Sequence, residues 1–280
     1  METPPNWTVL ERRHVGPFTT SMVLQRPDGT EVEWSAWRHR KGLGLIDPAT
    51  GTVQSGPEWW APQQRGWWIA VLFAVGSTCF AVGSFPPTAT LIGDAAGWVF
   101  FVGSIFFTSA AYLQYHEATN EGDDVEGYGR TRHVMGLRTR SVGWWASAIQ
   151  LIGTLWFNIN TFNALRDLST RQEEALVWAP DAFGSVCFLV ASGLALVEVC
   201  HKLWCWKPNL IAWRIAAINM VGSIAFGISA IGAWIVPETG DLNNATVANA
   251  FTFIGAVMFF IGAVLLIPAM STARNQSSTT

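Results

Sequence analysis

The chain has 280 residues, a formal net charge of −3 and 50% hydrophobic residues. Only 13% of it is charged, about half the ~25% of an ordinary soluble domain. This balance excludes a strongly basic nucleic-acid binder and a disordered polyelectrolyte, and four cysteines are too few for a disulfide scaffold.

Residues 1–65 form a charge-balanced segment with seven acids and seven bases. Phe18–Gln25 and Glu31–Trp37 flank Pro27-Asp28-Gly29, which predicts a β-hairpin, because Asp-Gly tolerates the positive φ of a tight turn. Arg38-His39-Arg40-Lys41 follows and is expected to lie beside the membrane surface, where each basic charge near anionic headgroups is worth ~1 kcal/mol. Trp59, Trp60, Trp67 and Trp68 bracket Arg65 and read as an interfacial belt, as do Trp144, Trp145, Trp204 and Trp206 further on.

From residue 66 the chain changes character. Residues 66–93, 95–116, 141–165, 182–197, 215–237 and 242–273 contain no Asp, Glu, Lys or Arg. A helix crosses ~30 Å of hydrocarbon with about 20 residues, so six spans are expected, near 67–86, 95–115, 143–164, 179–199, 213–236 and 249–270. Continuous apolar runs do not fit barrel strands, which alternate. The expected fold is an all-α membrane protein with hairpins 66–116, 143–200 and 213–270 in a domain 66–271, ending in a tail 272–280. Fifteen of the 17 Lys and Arg fall on one side of these spans, leaving Arg166 and Arg171 on the other. The positive-inside rule then puts both termini in the cytoplasm, and the chain is expected in an inner membrane, in contact with lipid.

The spans share a pattern. Trp67, Trp144 and Trp213 each precede a glycine by nine: Gly76, Gly153 and Gly222. Each glycine has a phenylalanine four residues on: Phe80, Phe157 and Phe226. Gly103, Gly184 and Gly255 repeat this with Phe107, Phe188 and Phe259. Offsets of zero, four and seven share one helix face, where small residues let backbones approach. The three hairpins therefore read as like-oriented repeats.

These segments resemble a known type. WRHRKGLG (37–44), WWAPQQRGWW (59–68), GSIFFTSAAYLQ (103–114), QLIGTLWFN (150–158), PDAFGSVCFLVAS (180–192) and NMVGSIAFGISA (219–230) are similar to YrhK-type two-helix domains. The chain resembles uncharacterised multi-pass membrane proteins of actinobacteria. The resemblance implies fold and membrane location, and brings no activity.

Polar residues inside lipid are the candidate site, because an unpaired polar group there costs several kcal/mol. Gln150 and Asn219 stand three residues before their glycines. Asn160 and Asp181 are expected at similar depth in the other half. Glu117 and Glu198 each lie fourteen after a glycine, at equivalent span ends. These six are interhelical hydrogen-bond glue on one reading, and a polar path for a small solute or ion, moved or sensed, on the other. A second hypothesis is a non-catalytic scaffold or assembly subunit, a homo-oligomer or one docking a protein partner through the amino-terminal segment. A third is a redox protein using quinone or haem, with His116 and His201 as haem ligands. No resident cofactor, metal site or catalytic residue is expected, since no P-loop, GxGxxG, HExxH or GxSxG pattern occurs.

Overall fold

In the computed structural model, which describes residues 6–46, 59–120 and 133–272, the uncharged runs become long helices. Six of them form the body: α2 (Arg65–Ser84), α4 (Ala96–Thr119), α5 (Val142–Asn163), α7 (Ala179–Cys200), α8 (Ile211–Gly232) and α9 (Ala245–Thr272). The numbering is completed by α1 (Ala36–Arg40), α3 (Pro86–Ile92) and α6 (Thr170–Glu173). Five stretches are long and apolar enough to cross a membrane: Arg65–Ser84, Pro86–Thr119, Thr170–Cys200, Ile211–Gly232 and Ala245–Ala269. The sixth long helix, α5, has the length but carries Gln150, Thr154, Asn158, Asn160, Thr161 and Asn163, which lower its hydropathy.

Local chemistry sets the breaks. Phe85-Pro86-Pro87 ends α2, because proline cannot continue a helix but suits the first turn of the next. Ser141 starts α5 by accepting from the Trp144 amide. A π-helical turn, Glu174–Trp178, carries the chain from α6 into α7.

The six long helices close into a ring in chain order. Each packs on the next, and α9 closes on α2. Between α2 and α4, α5 and α7, and α8 and α9, two glycines meet. A Cβ on Gly76 would stand 3.0 Å from the Gly103 carbonyl oxygen, and one on Gly103 would stand 3.2 Å from that of Gly76. Gly153 and Gly184 repeat this at 3.1 and 3.0 Å, and Gly222 and Gly255 at 3.2 and 3.1 Å. Only glycine fits at such a seam.

The phenylalanine four residues on from each seam glycine fills the middle of the ring. Phe80, Phe107, Phe157, Phe188, Phe226 and Phe259 are all 6% exposed or less. Phe80, Phe157 and Phe226 touch one another, with ring centroids 6.0, 6.2 and 5.7 Å apart. Phe107 and Phe188 each meet Phe259, at 6.0 and 5.9 Å. The centre at this depth is a plug of aromatic carbon.

Helices α2, α5 and α8 also begin alike. The indole N–H groups of Trp67, Trp144 and Trp213 each donate to the carbonyl eight residues back, on Trp59, Gly136 and Cys205. Six residues back, Trp68 and Trp145 donate to Pro62 and Thr139, and Arg214 reaches Pro208 in the same way. The first set is buried, so only part of the expected tryptophan belt is exposed: Trp59, Trp60, Trp68, Trp204 and Trp206.

One end of the ring wears a cap. Strands β1 (Thr8–Val15), β2 (Phe18–Gln25) and β3 (Glu31–Ser35) form an antiparallel sheet in that order. The β2–β3 turn is the expected one, with Gly29 at φ +87° and its amide donating to Arg26. The predicted second strand stops early: Ser35 accepts from the Arg38 amide and starts α1. Met22, Leu24, Val32 and Trp34 pack with Val142 at the start of α5, while α1 touches α4, α5 and α7. Arg130, Arg132, Arg274 and the tail after residue 272 lie outside the described residues.

Candidate functional site

The basic run 38–41 is not spread on a membrane surface. Helix α1 carries it into the capped end of the ring, where His39, Arg40 and Lys41 are buried. The cause is electrostatic: Glu117 and Glu198 are buried there too, and a buried carboxylate needs a cation and hydrogen bonds. Arg40 serves Glu198, with Nε and Nη2 at 2.8 and 2.7 Å from Oε2. Its Nη1 donates to Gln114 Oε1 at 2.9 Å. The pair joins cap to bundle across 158 residues of sequence.

Glu117 is served from the head of α2, where Arg65 Nη1 donates to its Oε1. The same guanidinium reaches His116 Nδ1 at 3.1 Å, and since arginine only donates, Nδ1 is the unprotonated nitrogen. His39 Nε2 donates to the Glu117 carbonyl at 2.8 Å. Each acid fourteen residues past a seam glycine thus meets an arginine from before the first long helix or from its first residue. On α9, fourteen residues past Gly255, that position is Ala269.

Inward of Arg40 lies a small polar chamber. Lys41, Gln150 and Asn219 line a cavity of about 20 Å³ whose wall includes Phe73 and Phe259. One water needs about 10–15 Å³ on this measure, so the chamber has room for one. Lys41 Nζ stands 5.7 Å from the centre of the Phe73 ring. Burial, and then repulsion from Arg40, push the Lys41 amine well below its usual range, against attraction from Glu198. Asn219 Oδ1 and Gln114 Nε2 have no hydrogen-bond partner among the described residues.

The six candidate residues therefore divide. Gln150 and Asn219 share the chamber, with Glu198 next to it through Arg40. Glu117 belongs to the Arg65 cluster at the same end. Asn160 and Asp181 form their own pair, Nδ2 to Oδ1 at 3.2 Å. The His116 ring is held by Arg65 and its carbonyl accepts from Asn120, while His201 is held by Thr20 on the cap. No group of three or more His, Cys, Asp or Glu suited to a metal occurs among the described residues.

His201 is a second cap contact. The Thr20 hydroxyl donates to the Arg13 carbonyl at 3.2 Å, so it accepts from His201 Nδ1–H at 2.9 Å. Burial, with Arg13 and Lys207 nearby, lowers this imidazole to about 4. Its backbone is left-handed at φ 53°, and the neighbouring Cys200 is bonded to Cys205. The sequence reading did not pair these cysteines.

Arg40, Lys41, Arg65 and Gln114 were missed as site residues. A signal existed: two apolar spans each end in a glutamate, and the nearest concentrated bases, 38–41 and 65, are their natural partners. No protein family, curated protein or solved structure matches the chain.

Proposed function

We propose that this is a six-crossing integral membrane protein acting as a non-catalytic scaffold, with its bundle sealed and its cap held against the cytoplasmic face. The observation that carries this is the phenylalanine plug. A solute path needs polar lining through the middle, but the polar residues lie on either side of six packed rings. The five apolar stretches and the outward Ile105, Ile152, Val190, Ile224, Ile254 and Phe260 support lipid contact. Helix α5 crosses with them because it sits between α4 and α7 in the ring, where its polar face turns to protein. Ser104 Oγ and Thr161 Oγ1, 2.9 Å apart, illustrate this.

The matching glycine seams and indole bonds support three like-oriented, YrhK-like hairpin repeats. The cap offers a partner its outer strand: in β1, Glu11, Arg12 and Arg13 are exposed. The charge count supports cytoplasmic termini in a bacterial inner membrane. Transport through the core is the weaker reading because the plug blocks it. Proteoliposomes loaded with a pH dye and potassium test the choice. The scaffold reading expects proton and potassium leak equal to protein-free vesicles; a protein-dependent flux would reject it.

A further inference from the structure

Under the cap, on the side where the third hairpin lacks a glutamate, there is a cavity of about 150 Å³. A cavity of about that size holds a benzene-sized molecule. Trp37, Val199, Leu210, Ile211 and Ala269 give it an apolar wall. Its polar lining is Glu33, Ser35, Arg38, Glu198 and His201.

Most of these polar groups are committed. Glu198 is held by Arg40, Ser35 caps α1 and His201 donates to Thr20. Arg38 gives Nη2 to the Leu43 carbonyl at 2.9 Å, but its buried Nε–H meets no acceptor among the described residues. Such a donor costs about 1–3 kcal/mol. At the two equivalent places a glutamate answers an arginine; here that position is Ala269, 1% exposed. Glu33 brings a negative charge into the same cavity. An anion alone would be repelled by Glu33, and a cation alone by Arg38.

We propose that this cavity binds a small zwitterion, with its oxyanion on Arg38, its primary ammonium toward Glu33 and an apolar body against Trp37, Ile211 and Ala269. An apolar α-amino acid has this chemistry in free form, and an ethanolamine phospholipid headgroup has it in the bilayer. The inference goes beyond the scaffold reading, because a ligand here would stand between cap and bundle. Its failure would leave the sealed core untouched.

Calorimetry on the full chain in detergent, with L-valine as probe, tests it. Isovalerate and isobutylamine supply one charge each on the same body, and phosphoethanolamine supplies the headgroup. Valine is expected to bind at least tenfold more tightly than either single-charge analogue. Glu33→Gln and Arg38→Gln should each weaken it at least tenfold. Ala269→Leu, which fills the cavity without altering charge, should abolish it in protein that keeps its thermal transition. Preferential binding of phosphoethanolamine would keep the zwitterion and place its source in the bilayer. Valine binding no tighter than isovalerate or isobutylamine, or no binding of any probe, would overturn the proposal.

Discussion

At the scale of single residues, the pairing of Arg40 with Glu198 decides whether the cap stays docked. Both side chains are almost wholly buried, at 3% and 0% exposure. Removing one partner of a buried pair costs about 3–5 kcal/mol, because a charge is left uncompensated. Glu198→Gln should therefore expose the cap to limited proteolysis and lower the unfolding temperature. Arg40→Met combined with Glu198→Leu removes both charges and should recover much of that loss. If the double variant is as unstable as the single one, the charges are not the reason for the effect. The acids themselves were legible, since each stands fourteen past a seam glycine. Their partners were not, because Arg38-His39-Arg40-Lys41 has the composition of a solvated stretch, and only the fold turns it inward.

At the scale of elements, the glycine seams between helices and the cap obey different physics. A Cβ at Gly153 would stand 2.9 Å from the Cys187 Cβ and 3.1 Å from the Gly184 carbonyl oxygen, neither of which is a flexible side-chain end. Gly153→Val should thus push α5 and α7 apart and cost at least the ~1–3 kcal/mol of an overpacked core, read as a fall in thermal stability in detergent. Gly193→Ala, whose nearest neighbour is a methionine end at 3.8 Å, should be tolerated. The seams were readable because glycine, small residue and phenylalanine recur at helical offsets. Strand β1 was not, because its outer position leaves it with the charged sequence Leu10-Glu11-Arg12-Arg13 instead of alternation.

The cap contact through His201 predicts a pH dependence. Above pH 6.5 the imidazole is neutral whether the cap is docked or free. As pH falls from 6.5 toward about 4, the free imidazole gains a proton and the docked one resists it. Docking should weaken across that window and change little from pH 7 to 8 on this account. Hydrogen exchange of β2 amides measures it. His201→Gln should flatten the profile, and an unchanged profile would remove His201 as the cause.

At the scale of the whole molecule, helical class, several helices long and apolar enough to cross a membrane, and a sheet at the amino terminus were legible in the sequence. Closure of α9 on α2 was not, because ring closure is a long-range property that no local period encodes. The nature of the centre followed only from that closure, which turns six outwardly similar stripes toward one another. Orientation can be tested through Cys200–Cys205. The structure bonds the pair, whereas the proposed orientation would put it in the reducing cytoplasm, where thiols persist. Both cysteines are buried, so cells are lysed in denaturant containing maleimide: the cytoplasmic orientation expects both to be modified without prior reduction, and a pair that needs reductant would place the capped face outside.

The sealed centre is the claim on which the functional reading rests, and water access to it is measurable. Ser77 follows the first seam glycine and is 0% exposed. Ser77→Cys, with Cys79 and Cys187 replaced by alanine, places a thiol beside the plug with little change in volume. In sealed vesicles of either orientation, a charged methanethiosulfonate reagent should leave this thiol unmodified from both sides. Modification from either side would show that water reaches the middle of the bundle and would contradict the sealed scaffold.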